Sequence, residues 1–458
     1  MADITYLCKR TVVSTKPVQP GKYHSLSVLD HAMEPSNLRL VFYYYTSAGT
    51  ELGNVTKKLT ESFSEMLTSF PMVTGRLQKT PEGRWKIKCN DAGVRTVEAR
   101  AKGSVEEWLE TADREQELKL VYWEDIFYKP YFWSTFYIQL TEFEGGGIAI
   151  GLSCSHLLGD ATSATMLVKA WADTAMFGKM ISPPHFHSVP PRRIGNKDVN
   201  KSPHIDMINC YKSSLDRKSN LTALCIERYA TVTFVFDDEM VRKCMAEAQA
   251  GAVSLSNDSS ASPFAALASL FWLSVNNLKG RKGGLSDMSI CLDKRIALGL
   301  DNGFFGNYMI FNKVCGEESM EVGLPNAAKA IENAMQKMGN EGIMDLLEWL
   351  ESNSDGDLKN DYKPPPPING PDLVCANWES LNPYSAIFES RGKPIRVSYY
   401  FERVFGEGQI LILPSPDGNS SLSRVAMVTL PEHQVVKLCE EDLILRFSPT
   451  ILMGMNKI

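Results

Sequence analysis

The chain has 458 residues, 44% hydrophobic and 22% charged, which is enough for two domains of roughly 200 residues each and too apolar for a wholly disordered polymer. A formal net charge of -6 offers no basic field to gather phosphates, so nucleic acid is not an expected partner. Ten cysteines are scattered without a Cys-x-x-Cys pair, which points to free, mostly buried thiols rather than a zinc site or a disulfide framework.

Met1 to Val13 brings Lys9 and Arg10 in after only a few apolar residues and lacks the features of a secretory signal. The longest apolar runs, such as Gly147 to Leu152, are strand-sized and fall short of the ~18 residues of a membrane span. Arg39 to Tyr45 reads as a strand, and Asn54 can cap a helix whose Val55, Leu59, Phe63, Met66 and Leu67 form one apolar stripe. Arg84 to Cys89 and Val94 to Ala99 read as a hairpin around Asn90, Asp91 and Gly93. Thr135 to Phe143 and Gly147 to Ser155 are two strands joined through Gly145, Gly146 and Gly147, and a helix runs from about Thr162 to Phe177. The glycine triplet lacks Gly-x-Gly-x-x-Gly spacing and opens a strand, so it is a turn rather than a phosphate cradle.

Ser182 to Pro203 is proline-rich with no apolar period and is expected to cross between domains. A second strand-and-helix half follows, with a strand at Arg228 to Phe236, helices at Asp237 to Ala248 and Pro263 to Leu278, and a strand at Met288 to Asp293. Asp355 to Pro371 is a loop of polyproline character. Strands at Ile395 to Phe401, Gln409 to Pro414 and Arg424 to Leu430 lead to a helix from Pro431 to about Leu445. The boundaries expected are 1–181, a linker at 182–225, and 226–458, in a mixed α/β (α+β) architecture of two layered domains.

Ser155-His156-Leu157-Leu158-Gly159-Asp160 sets an imidazole and a carboxylate four residues apart just after an apolar strand. With an ordinary pKa of ~6.5, a histidine at that turn can accept a proton from a hydroxyl or amine, as acyl transfer from a thioester requires. The spacing alone is a weak signal, and a structural histidine at a strand end is the bland alternative. Lys279 to Gly284 is a basic turn that reads as a solvated loop, and His185 and His187 lack companions for a metal site, so no metal is expected.

Several separated segments resemble the BAHD acyltransferases: Ser25 to Asp30, Gly75-Arg76-Leu77, Cys89 to Val94, the pair His156 and Asp160, Asp293-Lys294-Arg295, and Phe304-Phe305-Gly306-Asn307. The resemblance implies two similar domains with a channel between them, related to the chloramphenicol-acetyltransferase fold, with His156 midway as the general base. It implies acyl-CoA as co-substrate, with no further cofactor, and Asp160 turned away from substrate to pair with Arg295. The family's carboxy-terminal Asp-Phe-Gly-Trp-Gly pattern is matched by Val404, Phe405, Gly406, Glu407 and Gly408, with the acid and the tryptophan replaced, and Ala161 stands where a glycine is usual. These departures, with CNDAGVRTVEA and GIAIGLSCSHLLGD, resemble the eceriferum and glossy branch of cuticular wax formation. That branch implies very-long-chain acyl elongation beside a β-ketoacyl-CoA synthase at the cytosolic face of the endoplasmic reticulum, by a chain that is monomeric on its own.

Overall fold

The computed structural model describes residues 4–19, 21–34, 36–46, 53–81, 83–124, 133–186, 204–216, 228–250, 261–280, 284–301, 303–316, 323–354, 373–388, 392–404, 406–417 and 421–453. The first half supplies strands β1 (Ile4–Val12), β2 (Tyr23–Ser25), β3 (Asn37–Tyr44), β4 (Arg76–Lys79), β5 (Trp85–Lys88), β6 (Val94–Ala101), β7 (Phe136–Phe143) and β8 (Ile148–Ser155). The second half supplies β9 (Tyr229–Phe236), β10 (Met288–Asp293), β11 (Met309–Val314) and β12 (Leu373–Asn377), then β13 (Arg396–Glu402), β14 (Gln409–Pro414), β15 (Arg424–Pro431) and β16 (Thr450–Met453).

Among the described residues these strands build two large mixed sheets and a small one. The first runs β1-β6-β7-β8-β3-β13, the second β11-β10-β12-β14-β15-β9-β16, and the small sheet is β2-β5-β4. Within the first sheet only β6 and β7 are parallel. In the second, β12 runs parallel to both β10 and β14. β13 comes from the second half of the chain yet pairs antiparallel with β3 in the first sheet.

β7 and β8 form the expected hairpin: Phe143 N–H donates to Gly147 O at 3.0 Å, and Gly146 and Gly147 hold φ of +108° and +101°, where an L side chain is strained. A side chain at Gly151 on β8 would meet Leu120 O at 2.0 Å, so glycine is what lets that main chain lie against the sheet. The expected pairing of Arg84 to Cys89 with Val94 to Ala99 does not occur. β5 pairs with β4 and β2, while β6 joins the first sheet between β1 and β7. Between them Asp91 and Gly93 sit at φ of +46° and +81°, and Arg76 donates to the carbonyls of Ala92 and Gly93, both at 2.8 Å, so the chain turns a corner instead of reversing.

The helix Asn54–Leu67 buries the expected stripe of Val55, Leu59, Phe63, Met66 and Leu67. Asn54 is not its cap. Gly53 is, and the Glu142 carboxylate of β7 accepts from Gly53 N at 2.8 Å and Thr56 N at 3.3 Å, so a distant strand satisfies the helix's free donors. Ser262 caps the helix Pro263–Leu278, which is buried along nearly its whole length with proline in its first turn. The helix expected over Pro431 to Leu445 is two, Glu432–Cys439 and Asp442–Leu445. The helix Ile205–Asp216 stands in the stretch read as linker. Pro183 to Phe186 precede residues 187–203, which lie outside the described residues, as do His187 and the polyproline loop. The described cysteines are free thiols.

Candidate active site

β8 ends at Ser155, and His156–Leu158 form one 3-10 turn before the helix Ala161–Phe177. Asp160 is that helix's N-cap, accepting from Ser163 N at 3.0 Å. Across from it, β10 of the second sheet ends at Asp293, so Arg295 enters from the other half. Its guanidinium meets Asp160 in a two-pronged pair, Nη1 to Oδ2 at 2.9 Å and Nη2 to Oδ1 at 2.8 Å. Tyr308 N–H adds a fourth donor to Asp160 at 2.9 Å. The carboxylate's acceptor capacity is therefore taken up by Ser163, Arg295 and Tyr308, and it has no role left as a proton relay.

Arg295 is as fully engaged. It also donates to Asp293 Oδ2 at 2.8 Å, Gly306 O at 2.7 Å, Phe304 O at 3.2 Å and Ser163 Oγ at 3.2 Å. Burial pushes the Asp160 carboxyl upward, and the Arg295 charge with the hydrogen bonds from Arg295, Tyr308 and Ser163 outweighs it, holding the group below the ordinary carboxylate value. A charge pair so deeply buried persists because its hydrogen bonds are complete.

His156 contrasts with it. The residue is completely buried, yet neither Nδ1 nor Nε2 has a hydrogen-bond partner among the described residues. Its main chain is held, with N–H donating to Ser36 O at 3.1 Å and O accepting from Asn307 Nδ2 at 2.7 Å. Asn307 Nδ2 also donates to Asp30 Oδ1 at 2.8 Å, and Asp30 closes a capping box with Ser27. The imidazole lies against Phe401 of β13, ring centroids 5.0 Å apart. Burial depresses its pKa to about 4, against a weaker upward pull from the Asp160 charge.

A cavity of about 260 Å³ opens beside this turn, lined by His24, Ser27, Asp30, Leu158, Phe305 and Asn307 among others. His156 is not among its lining residues. Asn307, which lines the cavity, holds the His156 carbonyl, and the ring packs on Phe401.

Of the other residues singled out in the sequence, Phe405 lies outside the described residues, and Val404 and Gly406 follow β13 in the turn toward β14. Glu407 forms an ion pair with Lys279, so that lysine of the basic turn has a carboxylate partner. Gly408 sits at φ +148°, where a side chain would meet Thr429 O at 2.6 Å. His185 lies 3.6 Å from Asp301 and bridges through its main chain to Gly303 and Phe305. Among the described residues no cluster of His, Cys, Asp and Glu could hold a metal ion, and no helix is long and apolar enough to cross a membrane. Residue-type reasoning missed the roles of Ser163, Tyr308 and Phe401. Tyr308 acts through its backbone and Phe401 through tertiary packing, so neither leaves a pattern; the Ser27-x-x-Asp30 capping box was a signal for Asp30.

Two layered α/β halves, with a histidine turn of one clamped to an arginine of the other, define an acyltransferase-type fold. The chain belongs to the Transferase family, whose model matches residues 2–443, the family of the BAHD acyltransferases. It is similar to Protein ECERIFERUM 2 of Arabidopsis thaliana, 24% identical over 96% of this chain and 98% of that protein. To Protein ECERIFERUM 26-like of the same plant it is 35% identical, over 38% of this chain and 41% of that protein, so the match spans about two fifths of that relative. The solved structure of vinorine synthase matches 96% of this chain and 98% of its own with a TM-score of 0.69 at 17% identity, which is a likeness of fold.

Proposed function

We propose that this protein promotes elongation of very-long-chain fatty acids for cuticular wax, holding acyl-CoA and acting beside a β-ketoacyl-CoA synthase at the cytosolic face of the endoplasmic reticulum, with transferase activity secondary. The observation that carries this reading is the state of His156, a sealed imidazole under Phe401 with its pKa depressed to about 4. A general base works best with a pKa near the operating pH, and this one sits about three units below neutrality. Such a group keeps its shape and neutrality but activates an alcohol weakly. The match to ECERIFERUM 2 along nearly the full chain supports the placement in wax metabolism.

One observation favours a second reading, acyl transfer from CoA to an alcohol or amine. Both His156 ring nitrogens are bare while both carboxylate oxygens of Asp160 are occupied. In that reaction His156 takes the acceptor's proton as the acceptor attacks the thioester carbonyl. The C–S bond then breaks and the imidazolium returns the proton to the leaving thiolate. Asp160 and Arg295 fix the turn and take no part in the transfer.

The test is co-expression with a β-ketoacyl-CoA synthase in yeast, profiling acyl-chain length for wild type and His156→Ala at equal protein level. Under the elongation reading the longest products persist in the variant. Loss of those products at unchanged protein level overturns it in favour of the transferase, for which removing the base costs on the order of 100-fold or more in rate.

A further inference from the structure

On the face of the first sheet away from His156 lies a fully buried carboxylate, Glu117, in the short helix Arg114–Leu118. It accepts from Tyr43 Oη at 2.8 Å and Ser398 Oγ at 3.2 Å, is hydrogen-bonded by Tyr400 Oη, and pairs with Arg396 at 3.4 Å. Trp108 Nε1 in turn donates to Tyr43 Oη at 3.2 Å. Arg114, one turn earlier, forms an ion pair with Glu402. Four alternate residues of β13, namely Arg396, Ser398, Tyr400 and Glu402, are thus held by one helix.

Side chains alternate along a strand, so the residues between these face the other way. Tyr399 Oη is hydrogen-bonded to Thr165 Oγ1 at 2.9 Å, on the helix that Asp160 caps, and Phe401 covers His156. A one-residue slip of β13 against β3 would exchange these faces, placing Phe401 outside and a charged or hydroxylated residue over the imidazole. β13 is an edge strand of its sheet, with β3 its one neighbour among the described strands, so pairing alone specifies its register from one side only.

We infer that Glu117 is a positioning residue, locking the register of β13 through Tyr400, Ser398 and Arg396 and thereby aiming Phe401 at His156. Its consequence for function rests on the His156 region being the acyl-handling site. The position of the ring does not, and the measurement below is independent of any product profile.

The measurement is the His156 imidazole Cε1–H signal by NMR, assigned by its disappearance in His156→Gln. In Glu117→Leu the signal is expected to leave the ring-current position set by Phe401, and its titration midpoint to rise from about 4 toward the ordinary histidine value as water reaches the ring. Tyr400→Phe, which removes one hydroxyl and keeps the packing, is expected to give a smaller shift in the same direction. Leu270→Ala, at a fully buried position in the helix Pro263–Leu278 of the other half, is expected to lower the melting temperature without moving the signal. Should Glu117→Leu fail to fold, Tyr400→Phe decides. A folded variant whose His156 signal and midpoint match wild type overturns the inference, as does an equal shift in Leu270→Ala.

Discussion

His156 and Asp160 stand one short turn apart, both fully buried, and are treated in opposite ways by what surrounds them. Asp160 collects four hydrogen bonds, two of them from a guanidinium of the other half of the molecule, and its charge stabilises the joint between the two sheets. His156 collects a phenyl ring and no hydrogen bond to either nitrogen. A buried polar group left unpaired costs free energy, so the second arrangement persists because the first over-determines it. One residue of the motif builds the scaffold, and the other is kept bare by it.

The largest expected effect comes from breaking the saturated half. Arg295→Ala or Asp160→Ala alone leaves a buried charge uncompensated and should lower stability by about 3–5 kcal/mol. The double variant should lose less than the sum, because the second substitution removes the charge the first stranded. Chemical denaturation of the three variants checks this, and strictly additive losses would show that the pair does not act as a unit.

Next in size is the pH dependence of the bare half. The folded-state pKa of His156, about 4, lies below the ordinary value of ~6.5, so between these values the unfolded chain binds a proton that the folded one refuses. Stability is therefore full above pH ~6.5 and falls as pH drops toward 4, by about 3 kcal/mol in all. His156→Gln should flatten that segment of the curve. Asp160, also held low, contributes stability present above the unfolded carboxylate value and lost as pH falls further, so its loss appears at the acid end of the same titration.

The smallest effect belongs to Lys279 and Glu407, a charge pair that keeps 12% and 24% of its side-chain exposure. Removing either should cost under about 1 kcal/mol, because solvent screens what burial concentrates at Asp160 and Arg295. A loss comparable with Arg295→Ala would mean that burial is not what separates the two pairs.

The residues that carry this comparison were unequally legible. Apolar periodicity and turn residues located β7, β8, the helix Asn54–Leu67 and most strands of the second half to within a few residues. The motif and its resemblance imply the pairing of Asp160 with Arg295, and the two meet in the fold. The β5–β6 hairpin was misread because turn chemistry reports that a chain bends without reporting where the next strand pairs. The cap of Asn54–Leu67 was misread because its acceptor, Glu142, is remote in sequence.

By itself, the sequence determined local periodicity, the free thiols, the absence of a basic field, and the residue types at the turn after β8. The periodicity and the turn depend on neighbours a few positions away, which is the range over which helix and strand patterns act, and the charge and the cysteine spacing are sums over the chain that need no fold. Only the tertiary structure decided that β13 leaves its own half to pair with β3, that Phe401 closes over His156, and that Glu117 gathers partners from both β3 and β13. Those arrangements follow from long-range packing and from the need to satisfy every buried charge, and both select partners hundreds of residues apart that no local pattern marks.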